Sequence, residues 1–365
     1  MDKGVVMKKT MRFFCFNFLF IICLFLFFSG CATTNSAVAT GSPGGSDRTS
    51  AGTPDWVRDP YIKYDMQTNF AVVGTGKNRQ EAEKNALGNL VAIFGQSIQV
   101  DEKIAVSYQE AVRSGVTASW SENTAVNSTI ATSASMDTLI GAETGEVWDN
   151  GRNTYYAVVI LNKVKAAQIY SGMIQSNQAM IENLINMPIA EKNTLEGYSR
   201  YQFAATIADI NASYESVLAV IGIPSSIPGI QKGNDLRLEA ANIAKAIPVN
   251  VVVKNDRNNR IRDAFSKVLS NLGFQSGGNN SRYRLEAEVN LSEAPSQQHI
   301  YVRYEINANF YDGNRVLIPY NINDREGHSS LANAENRAFV AAEKAIAEEF
   351  SQIFSSYINR LLPRK

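Results

Sequence analysis

From Phe70 to Ile93 the spacing of apolar residues changes from two to three-and-four, and the change falls at Gly74-Thr75-Gly76. A chain that switches period so abruptly passes from strand to helix within a few residues. Phe70–Val73 reads as strand and the two glycines as a sharp turn. From Arg79 a helix follows, with Ala82, Ala86, Leu90 and Ile93 on its buried face. Two alanines on that face let the helix lie close against a sheet. Strand–glycine–helix is also the shape that cradles phosphate. A P-loop, however, needs glycine five residues before its final Gly-Lys and Ser or Thr after the lysine. Ala71 and Asn78 occupy those positions, and Arg79 stands where the third glycine of a dinucleotide fingerprint belongs. The loop is read as a corner, and no cofactor is expected.

Beyond Gly95, alternation at Ile98, Val100, Ile104 and Val106 marks an extended stretch; 117–134, rich in Ser, Thr and Asn, would alone pass for a disordered linker, and its β-branched content and flanking strands favour a polar, partly exposed sheet element. Leu139–Trp148 and Thr154–Leu161 read as two strands joined at Asp149-Asn150-Gly151, residues that tolerate positive φ in a tight turn. The run Tyr155–Leu161 belongs at the centre of its sheet. Helices are expected from Lys163 to about Lys245. One stripe is Tyr170, Ile174, Ile181 and Ile185, ending near Pro188. A second, Phe203, Ile207, Ile210, Tyr214, Val217 and Ile221, is narrow, like the seam of a two-helix contact. It suits a helical hairpin within the chain, or an interface between copies. Pro224 and Pro228 interrupt it before a third helix, Asp235–Ala246.

A second module then begins with the strand in "IPVNVVV" and a helix Arg260–Leu272 capped by Asn258 or Asn259. Strands follow at Tyr283–Leu291, Ile300–Tyr311 and Val316–Asn323, the last two joined by a turn at Asp312-Gly313. A closing helix carries Phe339, Ala342, Ile346, Phe350, Ile353, Tyr357 and Leu361 on one face. The order β-α-β-β-β-α indicates an α+β layer with helices on one side. The fold class is therefore α+β: two modules, each an antiparallel sheet with packed helices, joined by a helical segment. The divisions are 1–30, 31–53, 54–165, 166–247 and 248–365.

The first two divisions concern location. Lys8, Lys9 and Arg12 precede a run, Phe13–Phe28, that is apolar except for Asn17. The run is shorter than the roughly 20 residues of a spanning helix and suits the core of a signal peptide. It ends in Phe28-Ser29-Gly30-Cys31, which resembles the bacterial lipobox, with Phe28 where leucine is usual. That resemblance implies cleavage before Cys31 and lipidation of its thiol. The other reading is an ordinary signal peptide with a cysteine nearby. Cys15 and Cys23 lie within the signal, so the mature chain holds one cysteine and cannot rely on disulfides. Ala32, by the same resemblance, permits passage to the outer membrane, facing the periplasm. Residues 32–53 are small, polar and glycine-rich, a tether with a mean span of roughly 25 Å.

The chain has 35 basic and 35 acidic residues. The near-neutral balance gives no footprint for nucleic acid. His299 and His328 are the only histidines, too few for a zinc site or a histidine relay. Asp256-Arg257-Asn258 lacks the glycine and distal glutamate of a calcium loop, so no metal is expected. Glu143 and Glu146 are the pair of carboxylates that could flank a glycosidic bond. Three apart in a strand, they point to opposite faces and read as a solvated edge. Trp120 and Trp148 suit either sheet packing or contact with peptide or glycan.

"PDWV" at Pro54–Val57, "VVGTG" at Val72–Gly76, an alanine-spaced helix and then "YYAVVIL" follow one another in an order that resembles the lipoprotein-20 (LPP-twenty) family of bacterial envelope lipoproteins. The resemblance covers roughly residues 54–165. It implies a surface or periplasmic protein that binds other envelope components and has no established catalytic residues. Related domains occur in flagellar-associated envelope proteins, so a flagellar-associated assembly is one version of that role. The expectation is a lipid-anchored, non-enzymatic protein of the cell envelope. Its rivals are a cell-wall hydrolase using carboxylates and a carrier of an apolar ligand.

Overall fold

Period-two alternation builds two sheets. In the computed structural model, which describes residues 52–95, 139–295 and 300–362, β1 (Asn69–Gly76), β2 (Ala142–Asp149) and β3 (Tyr155–Asn162) form the first, in the order β1-β3-β2 and all antiparallel. The apolar run of β3 is central, as its composition requires. One of its faces, Ala157, Val159 and Leu161, packs on α1 (Arg79–Phe94) through Ala82, Ala86, Leu90 and Phe94. The other face carries Val158 beneath Trp56, whose indole is buried against Ala71. The β2–β3 turn closes on Asn150, whose N–H donates to Thr154 O and whose Oδ1 accepts from Thr154 N, with Gly151 at φ 68°.

Two sequence readings change here. The glycines do not form the turn: β1 continues through Gly76, and α1 starts at Arg79. They are glycine because α1 crosses them. A Cβ on Gly74 would lie inside contact with Ala86 N and Ala82 O and 2.6 Å from Ala86 Cα, and one on Gly76 would lie 2.7 Å from Glu81 Cβ. The buried residue in the last turn of α1 is Phe94, with its ring 5.4 Å from that of Phe70, while Ile93 is exposed. The expected elements at 98–106 and 117–134 lie outside the described residues, as does Trp120.

The helical segment comprises α2 (Lys163–Ile185), the single turn α3 (Ile189–Lys192), α4 (Leu195–Ile221) and α5 (Gly233–Lys245). Asn162 caps α2 by accepting from Lys165 N, and Thr194 caps α4 by accepting from Gly197 N. Gly222 ends α4 in the left-handed conformation. The α2–α4 contact contains a buried amide pair, in which Asn177 Nδ2 donates to Asn211 Oδ1 at 2.8 Å. The stripe on α4 is wider than its Ile–Tyr–Val spacing suggests. Tyr198, Tyr201, Ala204, Ala205, Ala208 and Leu218 are buried as well, because α4 packs on α2, α5 and the C-terminal helix together.

The second sheet runs β5-β4-β6-β7-β8: Gln275–Ser276, Pro248–Lys254, Tyr283–Pro295, Ile300–Asp312 and Arg315–His328. Its β4 pairs in parallel with β5 and β6, and the rest is antiparallel. The strands β6, β7 and β8 are longer than the alternation indicates. One face buries Leu285, Ile306, Phe310 and Ile318 beneath α6 (Arg260–Asn271), α7 (Leu331–Ala345) and α8 (Ser351–Arg360). Asn259 holds the N-cap position of α6, but like Asn258 it is left-handed, and its side chain makes no capping bond. Asp256 caps it instead, its carboxylate accepting from Ile261 N and Arg262 N. Side chains of α4 reach this layer. Ser199 Oγ donates to Ile358 O at 2.7 Å, Leu195 N donates to the Tyr283 hydroxyl, and the Tyr198 ring lies 5.1 Å from Phe274.

A π turn at Ile346–Phe350 separates α7 from α8. It holds an extra residue, so the buried stripe shifts by one. Phe339, Ala342, Ile346 and Phe350 face the sheet as expected, but the stripe continues with Phe354, Ile358 and Leu362 while Ile353 is 37% exposed. Residues Gly52–Lys365 form one compact unit. Among the described residues no helix is long and apolar enough to cross a membrane.

Candidate functional site

The β1–α1 junction is where phosphate would be bound if the chain bound it. Two of its backbone donors are already engaged. Asn78 Oδ1 accepts from Glu81 N and Glu81 Oε2 accepts from Lys77 N, each at 2.9 Å, a reciprocal cap of the capping-box kind. A carboxylate thus occupies the electropositive end of the helix that an anion would seek. The Lys77 side chain is exposed.

The carboxylates of β2 are set by a bulge. The register with β3 slips between Thr144 and Val147, so the strict alternation that would send Glu143 and Glu146 to opposite faces does not carry across it. Gly145 sits in the bulge, and a Cβ there would meet the Tyr64 hydroxyl at 2.6 Å. Each glutamate has its own lysine: Glu143 pairs with Lys165 and Glu146 with Lys63. The hydrogen bond to Glu146 raises the Lys63 pKa, and burial followed by the Glu146 charge raises that of Tyr64. Each carboxylate is thus engaged by a lysine of its own in an exposed ion pair. Trp148 is half-buried, its ring 5.4 Å from that of Tyr156 on the Trp56 side of the sheet.

His328 ends β8, where its Nδ1 lies 3.2 Å from Ser329 Oγ and 3.4 Å from Ser330 N. His299 and Cys31 lie outside the described residues. Among the described residues no group of three or more His, Cys, Asp or Glu side chains could hold a metal ion. Sequence reasoning missed the tyrosines that hold elements together. The buried Tyr170 hydroxyl accepts from Ile140 N at 3.1 Å, and burial raises its pKa. Tyr61 reaches the edge of β1, its hydroxyl accepting from Ala71 N. A tyrosine in a helical stripe gives no sign in sequence of which backbone it will meet.

No protein-family model matches the chain, and no curated protein matches it. Solved structures do. The secreted protein HP1454 from Helicobacter pylori is 12% identical over 77% of this chain and 98% of that one, with a TM-score of 0.37. A minor lipoprotein from Acinetobacter baumannii is 14% identical over 31% of this chain and 91% of its own, with a TM-score of 0.23.

Proposed function

We propose that this chain is a lipid-anchored protein of the bacterial envelope, held by Cys31, whose folded part binds other envelope components without catalysing a reaction. The observation that carries the non-catalytic reading is the pairing of Glu143 and Glu146 each with its own lysine. General acid and base work on a glycoside needs two carboxyl groups available to the substrate, and each of these is already engaged by a lysine. The blocked helix end at Glu81 supports the same reading against nucleotide chemistry. Outer-membrane attachment, facing the periplasm, is the narrower reading; Ala32 after Cys31 supports the outer membrane, since by the lipobox resemblance it permits passage there.

Residues 54–165 are read as a domain of the lipoprotein-20 kind. Each motif of that resemblance has a physical part in the fold, which supports it. Trp56 of "PDWV" covers the sheet, the glycines of "VVGTG" admit α1, and "YYAVVIL" is the central strand. A flagellar-associated assembly is the narrower version of the role.

The test uses the full-length chain in cells fed labelled palmitate. Wild type should incorporate label and fractionate with membranes, and Cys31→Ser should do neither. Continued labelling of the Cys31→Ser chain would sink the anchor. Release of soluble fragments from purified cell wall, lost in Glu143→Gln or Glu146→Gln, would replace the binding role with hydrolysis.

A further inference from the structure

Strand β8 is 14 residues long and, among the described residues, it is the last of its sheet, with no strand along its outer side. A long open edge is a template for a second chain. Its residues show which backbone groups point outward. Pro319 stands opposite Asn309 of β7, in a register that is unbroken from Ile318 to His328. Proline has no N–H, so within a sheet its nitrogen faces away from the ladder. With a period of two, Asn321, Asn323, Arg325 and Gly327 also turn their N–H and C=O groups outward.

Two hydrogen bonds agree with that parity. Arg325 N donates to Asp324 Oδ1 at 2.8 Å, and Gly327 O accepts from Arg337 Nη1 at 3.2 Å. Arg337 is held in turn by Glu326 at 3.4 Å. One donor is missing, another is occupied, and one acceptor is covered. Only Asn321 and Asn323 lie between these three devices. The opposite long edge, that of β1 in the other sheet, is treated the same way. Ala71 N donates to the Tyr61 hydroxyl, and the carbonyls of Val73 and Thr75 accept from Asn89 and Asn85.

We propose that the outer edge of β8 is closed to pairing with a second copy of this chain by Pro319, Asp324 and Arg337. The pairing that these residues prevent follows from the sequence of the edge. A two-fold antiparallel pairing centred on Asn323 sets Asn321 of one copy opposite Arg325 of the other and Pro319 opposite Gly327. No like charges then face one another among these outward positions, and the one donor lost at each end is Pro319. The inference is independent of the anchor and of the binding role.

The experiment uses the compact unit Gly52–Lys365, which contains no cysteine. Sedimentation across a concentration series compares the parent with Pro319→Thr/Asp324→Thr/Arg337→Ala. The parent should remain a monomer and the triple variant should dimerise, with dissociation at least roughly tenfold weaker than any single variant shows. In the triple background Asn323→Cys should form an intermolecular disulfide, since directly opposed residues lie roughly 5.5 Å apart at Cα. Leu238→Cys, on an exposed helix position, should not. Should the triple variant unfold, Asp324→Thr/Arg337→Ala alone must still shift the equilibrium toward dimer. A folded variant that stays monomeric, or a parent that already crosslinks through Asn323→Cys, would overturn the proposal.

Discussion

Replacing Gly74 by alanine adds one methyl group where strand and helix backbones meet. The new carbon would sit 2.6 Å from Ala86 Cα and closer still to Ala86 N and Ala82 O, against a comfortable separation of roughly 3.5–4.0 Å. One backbone must therefore move by about 1 Å. Side chains cannot absorb the clash, because none is in the way. Strand β1 is held by β3 along its whole length, and α1 is held by the burial of Ala82, Ala86, Leu90 and Phe94. Overpacking costs about 1–3 kcal/mol and occasionally more, so a backbone-to-backbone clash belongs at about 3 kcal/mol or above. Gly88, on the same helix, has no atom within 4 Å of its would-be Cβ. Gly88→Ala should stabilise by about 0.4–1 kcal/mol through the unfolded chain. The same chemical change thus acts in opposite directions at two glycines of one strand–helix motif. Thermal unfolding of the two variants beside wild type reads the difference, at roughly 2–4 °C per kcal/mol for domains somewhat smaller than this one. If Gly74→Ala melts with or above Gly88→Ala, the helix does not lie on the glycines and the account of this motif is wrong.

Two further outcomes are expected. In α8, Phe354→Ala should cost about 3–5 kcal/mol, as for a buried aromatic, while Ile353→Ala should cost less than about 1 kcal/mol; equal losses by denaturant titration would remove the phase shift at the π turn. Arg282 grips Asp312 with bonds of 2.6 and 2.7 Å, and this hydrogen bonding holds the Asp312 carboxyl below its ordinary pKa. A lowered carboxylate pKa stabilises the fold above the unfolded value, near 3.8, and the contribution is lost as pH falls through the folded value. Because Arg282 is exposed, Asp312→Asn should cost less than about 1 kcal/mol at neutral pH, and the gap from wild type should close in acid below that range; a gap that persists there would mean that the charge is not its source.

What could be read from the sequence was the part fixed by local period. The strand at Tyr155–Leu161 and its central place followed from its composition, and so did the helices around Tyr170 and Phe265. What could not be read depended on partners distant in the chain. Gly74 and Gly76 resemble a turn in isolation, and only the alanines at Ala82 and Ala86 hint that a helix will cross them. The narrow stripe on α4 was misleading because Ala204, Ala205 and Ala208, small enough to pack on any side, do not stand out among polar neighbours. The bulge at Gly145 broke an alternation that was assumed to be regular; a glycine inside a strand was the available sign. At the C-terminus two overlapping stripes exist, one through Ile353 and Tyr357 and one through Phe354 and Ile358, and apolar spacing does not choose between them. For the candidate site, lysine partners 83 and 22 residues away decided the roles of Glu146 and Glu143.

The π turn between α7 and α8 also sets where this helix can change length. A turn that accommodates one additional residue lets a helix gain length in its middle while both ends keep their contacts, α7 with β7 and β8 and Phe354 with Phe310 and Phe274. A single-residue insertion there should be tolerated, whereas one elsewhere in the helix would rotate everything beyond it by about 100°. Homologues lacking that codon would keep the same buried face with numbering out of step by one, and a gapless alignment of this helix would match Ile353 of this chain to a residue that does the work of Phe354.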